Sequence, residues 1–231
     1  MGKRIIQQAR GKGSFTYRVR RKAYIHKIKY PMHEGEAKIL GLIHSAGHSA
    51  PLMKLKIANE VFYNPAFNGA TVGNSISIGK ENPKEGDISP VKTIAPGTRI
   101  YNLENSPGDG GKMMRAAGTS AIILKQLENN KVFILMPNKK QITLGGDCRA
   151  TVGIVAGSGK NLKPFMKAGI KFYKMRAKGK LYPRTSAVKM NAVDHPFGSG
   201  RGKRIKSKTA KRNAPPGARV GHLRPRSTGK K

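Results

Sequence analysis

The chain has 231 residues, with 46 Lys or Arg against 11 Asp or Glu and a formal net charge of +35, so strongly anionic partners are expected. Its longest apolar runs, AIIL at 121–124 and VFILM at 132–136, are strand-sized, which excludes a spanning helix of ~20 residues, and the N-terminus lacks the apolar stretch of a secretory signal. The single cysteine, Cys148, permits no internal disulfide and fits a reducing cytosol, so a cytoplasmic protein is expected.

The charge is segregated along the chain. Residues 34–147 hold 13 basic and 10 acidic side chains, whereas residues 1–33 and 148–231 together hold 33 basic and one acidic. A membrane-surface protein would need an amphipathic helix with an apolar face, and the basic flanks supply few large apolar residues for one. Residues 1–33 carry ten Lys or Arg, Arg4, Arg10 and Lys12 among them, with Phe15, Tyr17, Tyr24 and Tyr30 interspersed. Basic residues interleaved with aromatics suit phosphate contact with stacking on unpaired bases. The plainer alternative is an arm whose tyrosines dock on the folded part of the chain.

From Glu34 the pattern changes to β-type. EAKILGLIHSAGHSAPLMKLKIANEVFYN offers two such runs separated by Gly-Ser-Ala-Pro turn chemistry, and TVGNSISIG at 71–79 a further alternating strand. The hydrophilic ENPKEGD at 81–87 predicts a boundary between a first small barrel, 34–85, and a second, 86–165. The second repeats short strands at even spacing in GTRIYNLE, TSAIILKQLE, KVFILMP, QITLG and CRATVGIVAG. Within 161–180 the apolar residues Phe165, Met166, Ile170, Phe172, Tyr173 and Met175 predict one short helix ended by Gly179. The rest of 166–231 is expected to be extended and basic. With few aliphatics to bury, ordering it at ~1–2 kcal/mol per residue requires contacts from a partner.

That region contains SAVKMNAVDHPFGSGRG, 186–202, an Asp-His-Pro triplet followed by alternate glycines and no further acid to the C-terminus. Its MNAVDHPFGSG resembles the MNPVDHPHGGG element of the second universal protein family of the large ribosomal subunit, departing at Ala192, Phe197 and Ser199. HSAGHSAPLMKLKI, GTRIYNLENSPGDGGKMMRAAGTSAIIL, DCRATVGIVAG and APPGARVGHLRPRSTG resemble further elements of the family in matching order, and MGKRIIQQARGKGS resembles its archaeal and eukaryotic members. The resemblance implies an all-β fold of an OB-fold barrel followed by an SH3-like barrel, with long basic extensions. It also implies a structural protein bound to large-subunit rRNA, neighbouring ribosomal proteins and small-subunit elements, with the 186–202 loop toward the peptidyl-transferase region.

The expected RNA-binding residues are Arg4, Arg10, Lys12, Lys112, Arg115 and Arg149, then Lys189, Asn191, Asp194, His195, Gly198, Gly200, Arg201, Lys203, Arg204, Lys211 and Arg212. Asp194-His195 invites acid-base chemistry, because histidine titrates near neutrality. Neighbours in an extended chain point apart, however, so His195 is expected to stack or hydrogen-bond on RNA. Asp194 is expected to set a turn, or to meet an arginine or an RNA-associated Mg²⁺ ion. The glycines of SPGDGGKMMRAAGTSA, 106–121, lack the Gly-Lys-Ser/Thr ending of a nucleotide-binding loop and suit instead a phosphate clamp of Lys112, Arg115 and exposed amides. His44 and His48 have metal-ligand spacing, but Gly47 spoils the helix that would align them, and neither a metal nor another cofactor is expected. Charge alone leaves a second class open, a general nucleic-acid-condensing protein with tandem barrels.

Overall fold

The computed structural model describes residues 2–200 and 209–225, which form two compact units, residues 21–166 and residues 2–20 with 167–200 and 209–225. The first is built on strands β1 (Gly35–Ile43), β2 (Leu52–Ile57), β3 (Glu60–Pro65), β4 (Ser75–Ile78), β5 (Ile88–Pro90), β6 (Arg99–Tyr101), β7 (Ala121–Leu127), β8 (Lys131–Leu135), β9 (Gln141–Gly145) and β10 (Arg149–Val152). They form one ten-stranded sheet in the order β3-β2-β1-β4-β5-β10-β6-β7-β8-β9. Every pairing is antiparallel except the single Ile78↔Ile88 link, which joins the two halves through parallel β4 and β5. β3 and β9 lie at its two edges and do not pair with each other, so the unit is mainly β and its sheet is open in its hydrogen bonding.

Period-two alternation places the core. Ala37 and Ile39 point inward from β1 while Leu40 and Leu42 face out, and Val132 and Ile134 do the same on β8. Two clusters result. One packs Ile39, Met53, Leu55, Phe62, Ile76 and Tyr101 among others, and the second packs Val91, Ile100, Leu103, Ile123, Val132 and Ile134. Irregularities at Ile39/Gly41 and Ile123/Lys125 shift the register in each half, as β-bulges do where a sheet bends.

Two elements differ from the sequence reading. PLMKLKIANEVFYN is two strands, because Ala58-Asn59 makes a two-residue hairpin with Ala58 at φ 46, a turn without the Asn-Gly signature. The three-residue β5 is too short for a periodic signal and ends at Pro90, which cannot donate to a ladder. The hydrophilic 81–87 segment is a tight connection tied by Asp87, whose carboxylate accepts from the N–H groups of Ser77 and Lys84 at 2.7 and 2.8 Å.

In the second unit, α2 (Ala168–Ala177) is the expected short helix, and its C-terminal turn carries Lys174 and Arg176 where the helix dipole favours cations. A further helix, α1 (Ile6–Gly11), was not expected; the Gln8 side chain accepts the Ile5 N–H at 3.0 Å and caps it. A short parallel pair, β11 (Thr209–Ala210) and β12 (His222–Leu223), completes the unit. No helix among the described residues is long and apolar enough to cross a membrane.

Candidate nucleic-acid interface

In the unit formed by the chain's two ends, residues 190–199 make a self-bonded loop. The N–H groups of Asp194 and His195 both donate to the Asn191 carbonyl at 3.0 and 3.2 Å, Gly198 N–H donates to the His195 carbonyl at 2.8 Å, and Ser199 N–H to the Met190 carbonyl at 3.0 Å. The segment therefore turns where the sequence suggested extension, and the backbone of Asn191 sets the turn, in place of the Asp194 carboxylate. A Cβ on Gly198 would run into the Met190 and Asn191 carbonyls, so only glycine closes the loop there. Gly200 has φ +131 with nothing near, and Ser199 itself sits at φ 65, a left-handed conformation that glycine adopts more readily than serine.

His195 is 7% exposed. Its Nδ1 accepts the Phe197 N–H at 3.0 Å, which leaves the neutral ring's proton on Nε2, and its ring meets the Phe197 ring at 5.2 Å. Asp194 faces Lys3, with 3.9 Å between Oδ1 and Nζ, and does not orient the His195 ring. The two side chains therefore form no Asp-His relay.

Lys3 N–H also donates to the Val193 carbonyl at 2.8 Å, so the N-terminal segment docks on a loop 190 positions away. Together they line a cleft of about 1050 Å³. Five expected residues meet there, Arg4, Lys189, Asn191, Asp194 and His195, with Tyr17, one of the interleaved aromatics, beside them, and the sequence reading did not single out Lys3 or Arg184 on the same walls. Long-range docking of two segments without hydrophobic periodicity leaves no local signal. Arg10, Lys12, Lys211 and Arg212 are exposed elsewhere on this unit, and Arg201, Lys203 and Arg204 lie outside the described residues.

The sheet unit treats its expected residues differently. Glu104 is fully buried and accepts from Arg149 N–H at 2.8 Å, Arg149 Nη2 at 3.0 Å and Gly110 N–H at 3.0 Å. Arg149 also donates to the Pro31 carbonyl at 2.6 Å and lies 5.3 Å from the Tyr30 ring centre, so its guanidinium is committed inside the protein. Arg115 donates to Asn102 Oδ1 at 2.8 Å and belongs to a buried polar chain in which Asn102 Nδ2 bonds Asn64, Asn64 bonds Thr151, and Thr151 bonds the Tyr30 hydroxyl. Burial drives the Tyr30 and Tyr101 hydroxyls' pKa values upward, so both stay neutral.

The phosphate clamp expected in 106–121 is corrected by these bonds. The N–H groups of Asn105, Ser106 and Gly111 donate to Asp109, and those of Gly108 and Gly110 to Glu104, so the loop's amides face its own carboxylates. Burial tends to raise the Asp109 pKa, but the backbone N–H donors and Lys112 outweigh it and hold the carboxyl below its usual value. Lys112 remains a surface cation, 64% exposed and 3.3 Å from Asp109. Tyr30, 1% exposed, follows the docked-tyrosine alternative, whereas Phe15 is 92% exposed. Among the described residues no three metal-ligating side chains converge, and His48 Nδ1 bonds Ser45 Oγ at 2.8 Å. Cys148 is buried, which pushes its thiol pKa up.

Residues 84–217 match the family described as Ribosomal Proteins L2, C-terminal domain. The chain is 45% identical over 237 residues to the large ribosomal subunit protein uL2 of Hyperthermus butylicus, covering 100% of this chain and 99% of that one. The chain belongs to the uL2 family. Other uL2 proteins are similar at full length, including those of Archaeoglobus fulgidus, 42% identical over 99% of both chains, and Nanoarchaeum equitans, 41% identical over 100% of this chain and 99% of that one. As a uL2 chain it is a ribosomal structural protein and not an enzyme, which gives the 186–202 element its context within the large subunit.

Proposed function

We propose that this uL2 chain binds large-subunit rRNA through its two basic ends, supports assembly of the subunit and its association with the small subunit, and helps organise the peptidyl-transferase region. The observation that carries the reading is the segregation of charge: residues 1–20 and 167–231 hold 26 basic side chains and one acid. With one acid among so many cations, such a surface suits a polyphosphate backbone. Arg4, Arg10, Lys12, Lys189, Lys211 and Arg212 contact phosphates, with Lys112 as an outlying contact and Arg201, Lys203 and Arg204 continuing the basic stretch. Asn191, Asp194, His195, Gly198 and Gly200 shape the loop that approaches the RNA. Arg115 and Arg149 act from within, holding the sheet unit together.

At the finer level of fold, residues 34–85 are assigned to an OB-fold-like barrel and 86–165 to an SH3-like barrel, between basic segments 1–33 and 166–231. The parallel β4–β5 link at that boundary and the second core cluster, drawn wholly from residues after it, support that division. Neighbouring ribosomal proteins complete the surroundings, and any Mg²⁺ belongs to the RNA.

Filter binding of the full chain to large-subunit rRNA tests the reading. Six to ten phosphate contacts predict a loss of ~10³–10⁵ in affinity between 50 and 200 mM salt, and a flat profile would contradict it. A general condensing protein would bind duplex DNA as well as rRNA and fail to remain with large subunits in a high-salt gradient.

A further inference from the structure

The cleft between the N-terminal segment and residues 181–195 gathers cations and an aromatic ring in one concave site. Its volume of about 1050 Å³ matches the upper end of small-ligand pockets, roughly 300–1,000 Å³. Lys3, Arg4, Arg184 and Lys189 line it against one acid, Asp194, which Lys3 already faces at 3.9 Å. Tyr17, half-buried, stands on the wall, and the side chains of Ser186 and Asn191 add hydrogen-bonding groups of both kinds. Arg10, Lys12 and Lys211, by contrast, are exposed cations that do not line it.

We propose that this cleft receives one unpaired nucleotide of an RNA strand, its base against Tyr17 and its phosphate among Lys3, Arg4 and Arg184. The inference rests on the rRNA-binding reading and narrows it to a class of nucleotide. A paired base keeps its faces in the duplex stack and cannot enter a pocket, whereas an unpaired base can be splayed out and stacked on an aromatic ring. Asn191, whose amide carries both a donor and an acceptor, can meet the base's exposed edge. Stacking of this kind is worth roughly 5- to 150-fold in affinity.

The test compares the full chain's affinity, at about 150 mM salt, for a fully paired RNA hairpin and for the same hairpin with a single-nucleotide bulge, with adenosine monophosphate as a third probe. The bulged hairpin binds about tenfold tighter or better. Tyr17→Ala removes that preference with the paired hairpin held within about twofold, and Tyr17→Phe, which keeps the ring, restores it. Arg184→Glu reduces the preference and Lys125→Glu, at an exposed cation of the sheet unit, does not. Equal affinity for both hairpins overturns the proposal, while salt-dependent binding to both leaves the rRNA reading intact. A preference that survives Tyr17→Ala overturns the placement in this cleft. Tight binding of adenosine monophosphate without any bulge preference overturns the RNA strand as the source, in favour of a free mononucleotide.

Discussion

Residues 21–166 carry 20 basic and 10 acidic side chains, whereas residues 1–20 and 167–231 carry 26 basic and one acidic. Burial divides the same way: among the described residues, Ile5 is the one buried apolar side chain outside the sheet unit. In the sheet unit, acids are spent on internal order, with Glu104 and Asp109 gathering loop amides and Arg149. In the other unit the loop is held by backbone bonds to Met190, Asn191 and His195, and its cations have almost no carboxylates to meet. The difference teaches that cationic side chains from one sequence serve two ends. Beside a buried acid they stabilise the protein, and without acids they await a polyanion.

Removing the acid from the first unit is the largest perturbation. Glu104→Ala leaves Arg149, whose side chain is 18% exposed, without its partner and strands the Gly110 N–H, so chemical denaturation should show a loss of about 3–5 kcal/mol. An unchanged midpoint would mean that the buried pair does not organise the sheet unit. Tyr30→Phe deletes the hydroxyl that joins Asn102 and Thr151, with an expected loss of about 1–3 kcal/mol in the same assay.

Changes in the loop should reverse the pattern, leaving that transition within about 0.5 kcal/mol while harming subunit assembly. Gly198→Val should lower the yield of complete subunits more than Gly200→Val, because a side chain at 198 meets two carbonyls and one at 200 meets open space. His195→Gln keeps hydrogen-bonding capacity, so assembled subunits should form peptide bonds within about tenfold of the parent rate; a single-turnover rate a hundredfold lower would reinstate proton transfer.

Acid gives a small, signed effect. The Lys92 ammonium, 2.7 Å away, with Asn130, holds the Asp147 carboxyl below its usual pKa, as the loop amides hold Asp109. Depressed folded-state values mean stability present above the unfolded carboxylate pKa and lost as pH falls through the folded one. The stability of the sheet unit should therefore fall below about pH 4, and Asp109→Asn should flatten that slope.

Much of the β structure was legible because β7 and β8 carry short strand-sized apolar runs and β9 alternates Ile142 with Leu144, and α2 because Gly179 ends an apolar-basic stretch. The Ala58-Asn59 hairpin was not, since nothing in alanine announces a positive φ. At the interface, residue types were legible in Lys189, Asn191 and His195, but their company was not. A Lys3–Val193 backbone bond carries no sequence signature, and the burial of Arg149 depends on Glu104, 45 residues earlier, pointing inward.

Hydrogen exchange of the full chain, free and bound to large-subunit rRNA, tests the division of labour most directly. In the free chain, amides of β1–β10 and of Lys29, bonded to the Tyr63 carbonyl, should exchange slowly, while those of residues 2–20, 167–200 and 209–225 exchange fast. On binding, the account predicts new protection concentrated in those three segments, the 190–199 loop included. Protection confined to the sheet unit, with the basic ends exchanging as in the free chain, would contradict it.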